Sequence, residues 1–126
     1  KVNAVTDISG FGLLGHLKEM CEASGVSAEI NFSTIKFFSG VFDLAKTNNI
    51  PGGSRRNLEY LKQYTLFAPN ITKRDQILVS DAQTSGGLLV SMPPDEAHRF
   101  MESSDSEVSI IGKIKTQQNT LIQLLR

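Results

Sequence analysis

The residues best suited to chemistry lie in one run near the start: Thr6, Asp7, Ile8, Ser9, Gly10, Phe11, Gly12, Leu13, Leu14, Gly15 and His16. Asp7 offers a carboxylate, and Gly10 and Gly12 let a ligand come close to the backbone. The leucines that follow begin a helix whose first N–H groups have no intrahelical partner, and the positive end of the helix dipole favours anions there. The spacing Gly10, Gly12, Gly15 also satisfies Gly-x-Gly-x-x-Gly, the pattern of a dinucleotide-binding turn. Asp7 speaks against that reading. A carboxylate beside a pyrophosphate is repelled by about 1 kcal/mol at about 4 Å in water, and by several times more near a protein surface. A cation between the two removes the conflict, and Mg2+ commonly takes one or two carboxylates together with substrate phosphates. The run fits a metal-nucleotide site better. The alternative without chemistry is that Asp7 or Ser9 caps the helix and the glycines serve packing.

Two later loops add polar groups. In Ile50-Pro51-Gly52-Gly53-Ser54-Arg55-Arg56-Asn57, Ser54 is an expected N-cap, with Arg55 and Arg56 in the first helical turn. Basic charge there opposes the dipole unless an anion meets it. The loop is therefore either an anion-binding concavity or two solvated arginines beside an ordinary turn. In Asp81-Ala82-Gln83-Thr84-Ser85-Gly86-Gly87, the polar residues precede a β-prone apolar run and so sit at the lip of a sheet. The Thr84 and Ser85 hydroxyls and the amides around Gly86 and Gly87 can donate to a ligand there, although turn geometry alone also explains the glycines. Three other residues invite a role. His16 has no second His or Cys at ligand spacing and reads as structural. Cys21 lies on an apolar face and reads as inert packing. Glu29 occupies a position from which a dinucleotide fold would grip a ribose.

Positioning these groups requires a strand before Asp7, over 2–5, and a helix carrying Leu13, Leu14, Leu17, Met20 and Cys21 that stops at Gly25. Alternation over 26–32 predicts a half-buried strand with Glu29 on its polar face. A second helix carries Phe38, Val41, Phe42 and Ala45, a third carries Leu58, Leu61 and Tyr64, and a short one falls within 71–79. A strand over 88–92 follows, then a helix from the Pro93-Pro94 start to about Ser103. Two closing strands, over 107–114 and 120–125, are joined by a polar turn. Strands and helices are mixed without strict alternation, which predicts an α+β fold, a mixed sheet covered by helices.

A chain of 126 residues is one domain's worth, so 1–126 is read as a single domain. Thirteen basic and thirteen acidic residues balance, which argues against a nucleic-acid surface or polybasic membrane binding. No apolar run has the length of a membrane span. A lone cysteine is compatible with a reducing compartment, and the expected location is cytoplasmic.

Taken together and in this order, the Thr-Asp-Ile-Ser-Gly-Phe-Gly-Leu-Leu-Gly-His-Leu run, the Pro-Gly-Gly-Ser-Arg-Arg-Asn loop and the Asp-Ala-Gln-Thr-Ser-Gly-Gly-Leu-Leu run closely resemble the C-terminal domain of selenophosphate synthetases (selenide, water dikinases). These belong to the wider aminoimidazole-ribonucleotide-synthetase-like superfamily. The resemblance covers almost the whole chain, from Val5 to about Ile114, and implies an enzyme that makes selenophosphate, AMP and phosphate from ATP, selenide and water, with Mg2+ and often a monovalent cation. It implies an ATP cleft between this domain and an N-terminal domain, and a homodimer formed chiefly through the latter. Asp7 matches the family's metal-binding aspartate, and Gly10, Gly12, Thr84, Ser85 and Gly86 would line or shape the cleft wall. The family's reactive Cys or selenocysteine and its essential Lys belong to a segment absent here, so no catalytic residue is assigned, and the first part of the C-terminal domain is expected to be missing before Lys1. The isolated chain is predicted to be inactive and to bind ATP weakly at best. Two alternatives stay open: a dinucleotide module built on Gly10, Gly12 and Gly15, and a non-catalytic regulatory or interaction domain of the same fold, using the Arg55 and Arg56 surface.

Overall fold

A computed structural model describes residues 1–126. The elements run β1 (Ala4–Asp7), α1 (Gly12–Ser24), β2 (Val26–Asn31), a 3-10 turn (Phe32–Thr34), α2 (Val41–Lys46), α3 (Gly52–Leu61), β3 (Thr65–Phe67), α4 (Lys73–Leu78), β4 (Leu88–Ser91), α5 (Pro94–Ser103), β5 (Gly112–Thr116) and β6 (Ile122–Leu125). The α+β expectation holds, with the strands divided between two sheets. β1 pairs antiparallel with β4, and a second sheet has the order β3-β6-β2-β5. In it β6 runs parallel to both β2 and β3, and β5 is antiparallel to β2, so the sheet is mixed.

The core follows from the helical spacing of α1. Leu14, Leu17 and Cys21 are buried on one face, against Ala28 and Ile30 of β2 and Ile122 and Leu124 of β6. Phe32, Leu61, Ile71, Val79 and Leu89 complete the same cluster, which binds α3, the residues on either side of α4, and β4 to the larger sheet. Gly25 ends α1 in the left-handed region (φ 62°), where its N–H reaches the Cys21 and Glu22 carbonyls. α4 opens with a reciprocal cap: Thr72 accepts the Asp75 N–H and Asp75 accepts the Thr72 N–H.

Three local expectations are corrected. The closing strands are not hairpin neighbours, because β2 lies between β5 and β6 and takes a ladder from each. Their first strand also begins at Gly112, five residues later than its apolar composition over 107–114 suggests. The third helix stops at Leu61, and Tyr64 instead leads into β3, whose three residues are too few to show a period.

Candidate functional site

Asp7 closes β1 at the corner before α1 and is exposed, and its carboxylate makes no hydrogen bond or ion pair within the chain. It does not cap the helix, and neither does Ser9. The N-cap position falls to Phe11, with no side-chain bond to the first turn. Other parts of the chain satisfy the amides there: Gly12 N–H donates to the Ser9 carbonyl and Leu14 N–H to the Val79 carbonyl, both at 3.0 Å. The helix end is thus partly closed by the protein's own carbonyls, which weakens the case for a phosphate seated on it.

Gly12 is buried with φ +71°, and a Cβ on it would lie 2.7 Å from the Ser80 carbonyl carbon. Its missing side chain therefore admits the 80–81 backbone, so Gly12 shapes the corner without facing solvent. Gly10 faces open space. Gly86 resembles Gly12, since a Cβ there would overlap the Ile8 carbonyl.

The first and third runs are tied by backbone bonds. Ile8 N–H donates to Gly87 O at 2.9 Å, Gly86 N–H to Ile8 O at 3.0 Å and Gln83 N–H to Ser9 O at 3.1 Å. The Gly86 amide is therefore engaged within the protein, whereas Thr84 and Ser85 are exposed with hydroxyls that make no intrachain hydrogen bond. β4 starts at Leu88 opposite Asp7, so the exposed Thr84 and Ser85 lie in the loop that leads into the strand paired with the Asp7 end of β1.

The second run docks onto the other two. Pro51 takes the cap position of α3, so Ser54 is not the N-cap; it lies in the first turn, fully buried. Its hydroxyl donates to the Asp81 carboxylate and accepts the Ala82 N–H at 3.1 Å. Gln83 Nε2 donates to the second Asp81 oxygen at 2.6 Å. Asn57 Nδ2 donates both to Gly10 O at 2.8 Å and to Ser80 O at 3.1 Å. Arg55 donates to the Asn48 side chain, and both arginines are exposed. The loop works through Ser54, as a buried anchor and not the expected cap, and through Asn57, to which no role was expected, rather than through its arginines. Polar side chains flanking a Gly-Gly helix start were the available signal.

The remaining candidates are structural. His16 is buried against Phe11, with Nε2 3.2 Å from Ser9 Oγ and Nδ1 3.8 Å from Glu19. The second distance is beyond a hydrogen bond, so Ser9, His16 and Glu19 do not form an activated nucleophile. Burial pushes the Cys21 thiol up to about 11, which keeps it protonated and unreactive. Glu29 pairs with Lys115 and Lys113, each at 3.0 Å, and these hydrogen bonds lower its pKa. It is not available to a ribose. The dinucleotide reading fails on topology as well: that motif needs β1 and β2 as neighbours in one parallel sheet, and here they lie in different sheets.

No three His, Cys, Asp or Glu residues group together as a metal cage. A single free carboxylate at the end of β1 does fit one ligand of a Mg2+ ion whose other positions go to phosphates, waters and further carboxylates.

The family described as AIR synthase related protein, C-terminal domain, matches residues 1–124. The selenide, water dikinase of Aliarcobacter butzleri is 40% identical over 118 residues, covering 90% of this chain and 34% of that protein. That of Haemophilus ducreyi is 39% identical over 117 residues, covering 90% and 33%. The Pasteurella multocida enzyme is 36% identical over 121 residues, covering 94% and 34%. The chain spans about a third of the length of these curated relatives.

Proposed function

The chain belongs to the AIR synthase related protein C-terminal domain family, and from that membership we propose that it is the C-terminal part of a selenide, water dikinase. In this reading Asp7 supplies one metal-binding carboxylate, and the corner around it forms one wall of an ATP cleft completed by an N-terminal domain of the same polypeptide. The substrates are ATP, selenide and water, the products selenophosphate, AMP and phosphate, and the whole protein works as a cytoplasmic homodimer. The observation that carries the reading is the free Asp7 carboxylate held on a fixed corner where three separated runs meet.

Bound Mg2+ would neutralise charge on the phosphate oxygens during transfer, which is where most catalysis of phosphoryl transfer resides. The contribution of this chain is positional. Asp7 is held at the end of β1 by the Ile8 pairing with Gly86 and Gly87, and the exposed Thr84 and Ser85 hydroxyls are free to donate to phosphate oxygens. Gly10 leaves the backbone open on the same corner. Gly12 and Gly86 act indirectly, by letting the walls come together. No nucleophile comes from this chain, as Cys21 is buried and protonated.

The test uses the full-length protein. Asp7→Asn should lower selenophosphate formation by about two orders of magnitude, the scale of one strong electrostatic contact in a transition state, with the fold intact. Full activity in Asp7→Asn would reject the reading. The isolated chain of 126 residues should show no selenide-dependent ATP consumption. Robust turnover by it would equally contradict the proposal.

A further inference from the structure

Asn57 lies one helix away from the corner and 47 positions from Gly10 in sequence, yet its amide nitrogen reaches the Gly10 carbonyl at 2.8 Å and the Ser80 carbonyl at 3.1 Å. Both N–H groups of one –NH2 are thereby committed to carbonyls on the two chain segments that meet where Gly12 packs on Ser80. This is the only side-chain hydrogen bond from α3 to the Asp7 corner. The rest of α3's grip, through Ser54, falls on the opposite segment at Asp81 and Ala82. Without Asn57, the 9–12 corner keeps its own Gly12 N–H to Ser9 O turn bond and its backbone ties to residues 79–87, but Gly10 loses its tie to α3. A Cβ on Gly10 would meet nothing within 4 Å, so no packing on that side of the residue supports the corner.

We propose that Asn57 is a positioning residue for the metal ligand Asp7, acting through the Gly10 carbonyl. The proposal rests on the reading of Asp7 as a metal ligand. On this view the Pro-Gly-Gly-Ser-Arg-Arg-Asn loop is a strut rather than an anion site: Ser54 fixes it to one wall of the corner and Asn57 ties that wall to the other. Direct hydrogen-bonding partners of a metal ligand typically change metal affinity about 10- to 100-fold when removed; Asn57 bonds the backbone three residues beyond Asp7, so the low end of that range is expected.

The experiment measures Mn2+ binding to the full-length protein in the presence of a non-hydrolysable ATP analogue, read by electron paramagnetic resonance. Four variants are compared with the parent: Asn57→Ala, Asn57→Asp, Asp7→Asn and the double variant Asp7→Asn with Asn57→Ala. Asn57→Asp keeps the side-chain volume but puts a carboxylate against two carbonyls, so it tests the same bonds if the alanine variant does not fold. Each Asn57 variant should weaken Mn2+ binding about tenfold. In the Asp7→Asn background Asn57→Ala should add no further loss. Unchanged Mn2+ affinity in the Asn57 variants, with weakened affinity in Asp7→Asn, would overturn the positioning role while leaving the metal ligand in place. Unchanged affinity in Asp7→Asn would instead remove the metal reading itself, and an independent, additive loss in the double variant would show that Asn57 does not act through Asp7.

Discussion

Gly12 and Ser80 meet backbone to backbone, close enough that a Cβ on residue 12 would sit 2.7 Å from the Ser80 carbonyl carbon. The contact joins the start of α1 to the end of α4's exit turn. Together with the Leu14 N–H bond to Val79, it makes the glycine of the first run a condition for the third run to reach it.

Gly12→Ala should therefore destabilise the protein through both the positive φ and the overlap, by about 2 kcal/mol or more. Equilibrium unfolding of the variant against the parent measures it. Gly10→Ala should behave differently, because nothing lies within 4 Å of a Cβ at that position.

Ser54→Ala should cost about 1–3 kcal/mol, since it leaves the Ala82 N–H without an acceptor and one Asp81 oxygen without its donor. Replacing Asp81 by Asn in the same background should then cost less than it does alone, as the two residues share a bond. A double-mutant cycle in urea reads this directly.

The Cys21 thiol, raised to about 11 and fully buried, should react with a thiol reagent at neutral pH only as the protein unfolds. The labelling rate should follow unfolding when denaturant is increased. Fast labelling under native conditions would mean that α1 opens off the sheet.

Glu29 is held below the usual carboxylate range by its bonds to Lys115 and Lys113. A depressed folded pKa adds stability that is present above the unfolded value and is lost as pH falls through the folded one. Glu29→Gln should lower stability at neutral pH, where that contribution is present, and converge with the parent in acid, so that this part of the acid limb flattens. The pairs are partly exposed, so salt should weaken the effect.

Much of this arrangement was legible in the residues. The leucine spacing of α1, the Gly25 stop, the Pro94 start of α5 and the β-prone run of β4 each express a local rule, and each element forms within a few residues of where the rule puts it. The Asp7 corner was legible for the same reason. What could not be read was the meeting of the three runs, because it depends on bonds such as Asn57 to Gly10 and Ser54 to Asp81, formed by small polar side chains across 47 and 27 positions. Such bonds leave no period. The same applies to β2 lying between β5 and β6, where neighbours in sequence are not neighbours in the sheet. Ser54 misled as an N-cap because its hydroxyl has a better partner in a distant loop than in its own helix.

The central claim is that Asp7 holds a divalent ion against the phosphates of a nucleotide. It is tested most directly by a crystal structure of the full-length protein with Mg2+ and a non-hydrolysable ATP analogue. The account predicts an Asp7 carboxylate oxygen at about 2.1 Å from a Mg2+ ion that also touches phosphate oxygens. A bound nucleotide and ion with the Asp7 carboxylate outside the coordination sphere and facing solvent would contradict it.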